Sequence, residues 1–335
     1  MDQRSQLLEG IGLQGRKPGI HKSGQVGKRK LYGIGRMPAN APHRLLPVAS
    51  ILLGASLWGV IWYPMRLLEA GGLSGLWLSL ILYASAFIAS LPVTWLALAE
   101  IRQRPTLLLL LMLAAGRTNI AFIEAVLTGN ILRVLLLFYL SPLWAVLLGR
   151  LVLREILSRQ ALFSLLLAMS GALVMLWNPQ VGVPWPHDLA DWLALSSGLA
   201  FAVSNVLVRK MEDITVPAKA ASVWAGVVLM ALVIIPFLKL EAPHISAGVF
   251  TGAVALGLFG ILLMTVLVQY GVSHLPVHRS AVLALIELVA GALSQQLLTD
   301  EVVTAREWTG GVLILVGAWL SAQASGREHV NPVAV

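Results

Sequence analysis

The 335-residue chain contains no cysteine, which excludes disulfides, thioether haem attachment and thiolate metal sites. Charge is scarce too: Asp, Glu, Lys and Arg make up 12% of the residues, about half the share in an ordinary soluble domain. Catalytic signatures are also missing. There is no HExxH, no Gly-x-Ser-x-Gly and no cluster of metal ligands, so nothing marks the chain as an enzyme or calls for a cofactor. His274 and His278 have a metal-compatible spacing, but Pro276 lies between them and no third ligand accompanies them. Gly27-Lys28 resembles the end of a phosphate loop, yet Lys22 and Arg29 stand where Gly and Ser or Thr are needed. Residues 1–44 lack the apolar core of a signal peptide, so the first apolar run itself would direct insertion. We read them as a disordered basic arm on the cytoplasmic side, with Met37 as an alternative start.

What is there is apolar. Hydrophobic residues form 58% of the chain and gather into ten runs of about 20 residues between positions 45 and 324. Over such lengths in lipid only helices satisfy their own backbone groups, so the expected fold is all-α with ten transmembrane helices. Membrane lipid is then the surrounding partner. The formal charge of +8 lies mostly outside these runs and reads as an orientation signal, not a nucleic-acid surface.

The chain also repeats. Shifted by 146 positions, Arg133 falls on Arg279, Leu147 on Leu293, Glu155 on Glu301, and Gly171-Ala172 on Gly317-Ala318. Upstream, Trp58 to Arg66 resembles Phe201 to Arg209 at an offset of 143. The expected organisation is a first five-helix repeat over 45–178, a periplasmic linker over 179–189 with Pro179, Pro184 and Pro186, a second repeat over 190–325 and a cytoplasmic tail over 326–335. Thr304-Ala-Arg-Glu307 has the form of a capping box at the start of the last helix.

Of the 24 Lys and Arg, Arg66, Lys239 and Arg306 fall in the loops opposite the termini, and Arg117 and Arg133 lie within runs. The remaining 19 sit with the termini, which places both ends in the cytoplasm. Five spans per half is an odd number, so the halves enter the membrane in opposite senses. Such a five-plus-five inverted repeat is a common transporter plan, with the site near the midplane.

Four ionisable residues fall within the runs or near their ends: Arg117, Glu124, Arg133 and Glu287. A charge at the bilayer centre costs about 2.5–3.5 kcal/mol or more, so each needs a partner or a task. Glu124 and Arg133 flank the turn at Thr128-Gly129-Asn130 symmetrically and are expected to form an outer gate or structural ion pair. Folding that hairpin back puts Arg117 level with Ser141, whose repeat equivalent is Glu287. Arg117 and Glu287 either neutralise each other or line a cavity, Arg117 holding a carboxylate or phosphate and Glu287 receiving an ammonium group, exchanging a proton, or both. Trp58 and Trp62 share a helical face and either pack in lipid or wall that cavity. Tyr139, Asn205 and Gln269 are mid-run polar groups that bond across helices or meet a ligand, and Pro142 can break its helix.

The first copy carries Ser141-Pro142, then Leu148-Gly149-Arg150 followed by Glu155 and Ser158; the second carries Leu283 to Glu287, then Asp300-Glu301 with Thr304. With Trp58 to Arg66 and Asn205-Val-Leu-Val-Arg209, over about residues 45–325, the chain resembles the EamA-type family of the drug/metabolite transporter superfamily. It departs at Leu288, where a proline would follow the glutamate of the second repeat. The resemblance implies alternating access in a bacterial inner membrane, with export of amino acids or related metabolites by proton exchange or the solute gradient. It also implies that spans 1–4 and 6–9 surround the cavity while spans 5 and 10 stand outside. The expectation is a secondary transporter of a small zwitterionic or anionic metabolite. The alternative is a lipid or lipid-carrier flippase in which Arg117 holds a phosphate.

Overall fold

Every regular element among the described residues of the computed structural model (41–178, 185–300 and 302–323) is helical. Most of the basic arm, linker residues 179–184, Glu301 and the tail lie outside these residues. The first run breaks into α1 (Ala41–Val60) and α2 (Trp62–Ala70), with α1 starting inside the segment read as arm. There follow α3 (Gly75–Leu96), the short α4 (Leu98–Gln103), α5 (Pro105–Thr128), α6 (Ile131–Phe138) and α7 (Ser141–Leu148), continued by a π-helical segment Gly149–Leu153, and α8 (Arg159–Leu176). The second half comprises α9 (Leu189–Lys210), α10 (Val216–Phe237), α11 (Ala247–Ala255), a π-helical segment Leu256–Ile261, α12 (Leu262–His274), α13 (Val277–Ala284), α14 (Ile286–Leu298) and α15 (Ala305–Gln323).

Among the described residues nine helical stretches are long and apolar enough to cross a membrane. The expected tenth forms as α15 but opens with Arg306 and Glu307 and is not apolar enough to count with them. Large apolar side chains such as Trp95, Leu96 and Phe259 remain exposed on the outside of the bundle, as lipid-facing residues must. Side-chain oxygens supply the helix starts: Asn130 accepts from the N–H of Leu132 and Arg133, Ser158 from Ala161, and Asp188 from Asp191. Thr304 and Glu307 form the reciprocal capping box.

Small residues let the helices approach closely. A Cβ at Gly171 on α8 would lie 2.5 Å from the Gly310 carbonyl oxygen of α15. One at Gly226 on α10 would run into the Met112 carbonyl of α5. The neighbours are α8 with α15, α3 with α10, α5 with both α9 and α10, α6 and α7 with α9, α1 with both α12 and α14, and α3 with the π-helical segment before α12.

Two mid-membrane breaks bear on the site. Between α6 and α7 the chain turns at Tyr139 and Leu140, and Pro142 has no N–H to offer the Phe138 carbonyl. Between α13 and α14 it turns at Leu285, the residue that the 146-residue shift lays on Tyr139. The second break needs no proline: Leu285 N–H bonds to the Val282 carbonyl at 3.2 Å and Leu288 N–H to the Leu285 carbonyl at 3.1 Å, which tightens one turn. Leu288 therefore does not prevent the break.

Candidate functional site

The breaks open onto a cavity of about 290 Å³, at the low end of the roughly 300–1,000 Å³ usual for small-molecule sites. Residues from both halves line it, and none comes from α8 or α15. On one wall Phe138 stacks among Phe122, Tyr139 and Phe201, with ring centroids 4.9, 5.4 and 5.7 Å away. Trp58 and Tyr83 add two further rings, and the Asn119 amide is paired with the Tyr83 hydroxyl.

Among the described residues Glu287 is the one charged residue in the lining. It lies in the first turn of α14, just after the break, where the helix dipole favours an anion. The Tyr139 hydroxyl, from the other break, is paired with its carboxylate. The two interruptions thus meet in the cavity, one contributing a phenol and the other an acid. Ser141, Pro142, Asn205 and Gln269 also line it. Gln269 is buried, and its Oε1 has no hydrogen-bond partner within the described residues; the same holds for Ser204 Oγ and Asn119 Oδ1.

Arg117 is placed differently from the expectation. It lies on the outside of the bundle, exposed, and donates to Ser196 Oγ on α9 at 2.8 Å. The cavity face of α5 is Ala115, Thr118, Asn119 and Phe122, and Arg117 is two residues from both Ala115 and Asn119, about 200° around the helix. Matching depth along the hairpin said nothing about the face. Trp62 is not in the lining either: the chain turns at Ile61 between it and Trp58, and its Nε1 donates to Ser294 Oγ on α14 at 2.9 Å.

The Glu124–Arg133 pair does not form. Arg133 instead bridges to Asp191 on α9, with Nε 3.2 Å from Oδ1, and its Nη2 also reaches the Trp185 carbonyl at 2.8 Å. Asp191 is buried and accepts from the His187 N–H as well. Among the described residues no cation stands within ion-pair distance of Glu124.

Sequence reasoning missed a polar cluster at the opposite end of the bundle. Glu155 lies 3.7 Å from Arg209 Nε and 3.4 Å from His278 Nδ1, so this histidine faces an acid, while His274 Nδ1 meets the Tyr270 carbonyl. Lys219 is buried, its Nζ held by Ser273 Oγ at 2.6 Å and by the Met211 and Val208 carbonyls at 3.1 and 3.3 Å. The signal for Lys219 was present: it is a cation one turn inside an apolar run, opposite the carbonyl end of the preceding helix. In the adjoining loop Arg104 donates to Asp213 at 3.0 Å and holds that carboxyl below the ordinary carboxylate range.

Residues 188–323 match the EamA-like transporter family. Over 274 residues the chain is 26% identical to an uncharacterized transporter of Archaeoglobus fulgidus, covering 82% of this chain and 95% of that protein. A solved protein structure superposes with a TM-score of 0.68 at 16% identity, covering 85% of this chain and 99% of its own, a likeness of fold.

Proposed function

We propose that this multi-pass membrane protein, similar to the EamA-like transporter family over residues 188–323, is a secondary active transporter that exports a small amine-bearing metabolite by alternating access. The observation that carries this reading is the cavity lined by residues of both halves, with a single acid among its described residues, at a helix break. A carboxylate so placed can bind an ammonium group and exchange it for a proton, which would couple export to the proton gradient.

The working architecture is an inverted pair of five-helix repeats, with α15 as the tenth span. Its support is the exchange pattern of the neighbours. Replacing each span by the one five later turns the contact of α5 with α9 into that of α12 with α1. It likewise turns α6 and α7 with α9 into α14 with α1, and leaves α8 with α15 unchanged. The distribution of Lys and Arg supports cytoplasmic termini, and the family resemblance supports residence in a bacterial inner membrane. The flippase alternative needs a cation for a phosphate, and Arg117 does not stand in the cavity to supply it.

Purified protein in liposomes loaded with labelled amino acids and amines tests the reading. Counterflow above protein-free liposomes is expected, and its absence across the panel, with a lipid changing leaflets instead, would replace the transporter by a flippase.

A further inference from the structure

We propose that the cavity takes its ligand by a protonated amine, held by Glu287 with the buried oxygens of Gln269 and Ser204, and that its described lining offers no cation to a ligand carboxylate or phosphate. This names the substrate class of the transport site and rests on the transporter reading above.

Three observations converge. The first is charge: among the described residues Glu287 is the one carboxylic acid in the lining, and no Lys, Arg or His lines it. The cations that could have reached it are engaged elsewhere. Arg117 donates to Ser196 outside the cavity, Arg133 is bound to Asp191, and Lys219 is enclosed by three oxygens. A ligand carboxylate entering this space would lose its hydration opposite another carboxylate and gain no counter-ion, whereas an ammonium would neutralise Glu287.

The second is hydrogen-bonding capacity. Gln269 Oε1, Ser204 Oγ and Asn119 Oδ1 are buried polar atoms with no partner among the described residues, and all three belong to lining residues. Gln269 is 7% exposed and Ser204 8%, so bulk solvent barely reaches them. Buried oxygens in this condition favour a ligand rich in N–H donors, and a primary ammonium brings three.

The third is the wall. Six aromatic rings border the cavity, from Trp58, Tyr83, Phe122, Phe138, Tyr139 and Phe201. Aromatic faces attract a cation and pack against an apolar or aromatic body. At about 290 Å³ the space suits one ring system with a short amine arm.

Tryptamine, tryptophan and indole-3-propionate share an indole and differ in the ionic head, so they separate the possibilities. Binding is read by equilibrium dialysis of the full chain in nanodiscs, and counterflow is read in liposomes. Tryptamine is expected to bind at least tenfold more tightly than tryptophan, with indole-3-propionate weakest. Glu287→Gln should weaken tryptamine binding at least tenfold, and Gln269→Leu severalfold. The second variant decides the matter should the first not yield monodisperse protein. Equal or tighter binding of tryptophan or indole-3-propionate, no binding of any of the three, or tryptamine binding unchanged by the variants would each overturn the proposal. Counterflow of tryptophan without a preference for tryptamine would remove the amine class and leave the transporter standing. A clear preference for tryptamine in binding, with no counterflow of any probe, would keep the class and remove the transport reading.

Discussion

The carboxylate of Glu155, in the turn before α8 of the first half, accepts the backbone N–H of Val277, the first residue of α13 in the second half, at 2.9 and 3.2 Å from its two oxygens. The π-helical segment and the left-handed Arg154 (φ 57°) turn the chain so that Glu155 reaches inward, and its own N–H returns to the Gly149 carbonyl. One acid thus caps a helix start and faces Arg209 and His278. Glu155→Ala leaves the Val277 N–H without its acceptor, and thermal unfolding should show a loss of about 1–3 kcal/mol. Glu155→Gln keeps an oxygen for Val277 and should fall between Ala and wild type. Identical unfolding of Ala and wild type would mean that the contact does not join the halves.

A second prediction concerns the pair that replaced the expected one. Arg133 and Asp191 are both largely buried, with side chains 13% and 2% exposed, and they tie α6 to the first turn of α9. Asp191→Ala takes the buried counter-ion from Arg133 and should destabilise the protein by about 3–5 kcal/mol. The double variant Arg133→Met with Asp191→Leu should recover much of that loss in the same unfolding assay. Glu124→Gln, by contrast, should leave stability within about 0.5 kcal/mol of wild type. A drop for Glu124→Gln as large as that for Asp191→Ala would restore the hairpin pairing.

The helices were legible because lipid leaves so few choices: long apolar runs with polar ends can only be helices. The correspondence of the two helix breaks was legible too, since an offset of 146 carries Tyr139 onto Leu285. Glu287 could be placed in the cavity because an acid at mid-run has few other uses. What remained hidden was azimuth. The depth of Arg117 followed from counting residues, but its face depended on how α5 packs between α9 and α10, which the run pattern does not encode. The Asp191 and Lys219 contacts were hidden because both lie near run ends, where a charge is easily taken for a loop residue.

Arg117 yields a prediction opposite to the one its sequence position invites. Among the described residues its one polar contact is to Ser196, at the exposed edge of α5 and α9. Arg117→Ala should therefore cost about 0.5–1.5 kcal/mol in stability and leave counterflow within twofold of wild type. Abolished flux in a protein that still folds would show that Arg117 takes part in the transport cycle.

Glu287 supplies the pH dependence, and its sign follows from the charge in the cavity. With the carboxyl ionised, the cavity holds one negative charge and attracts an ammonium ligand. As pH falls the carboxyl takes a proton, the attraction is lost, and amine binding weakens. Tyr139, the titratable group that faces it, keeps its phenol proton between about pH 5 and 8 and so adds no step there. Wild-type amine binding should thus rise with pH across the titration of Glu287. Glu287→Gln has no proton to exchange and should bind the amine weakly with a flat profile. The measurement is tryptamine binding at a series of pH values, with wild type and variant in parallel. A profile of unchanged slope in Glu287→Gln would place the titrating group elsewhere, with the Glu155 and His278 cluster the next to be substituted.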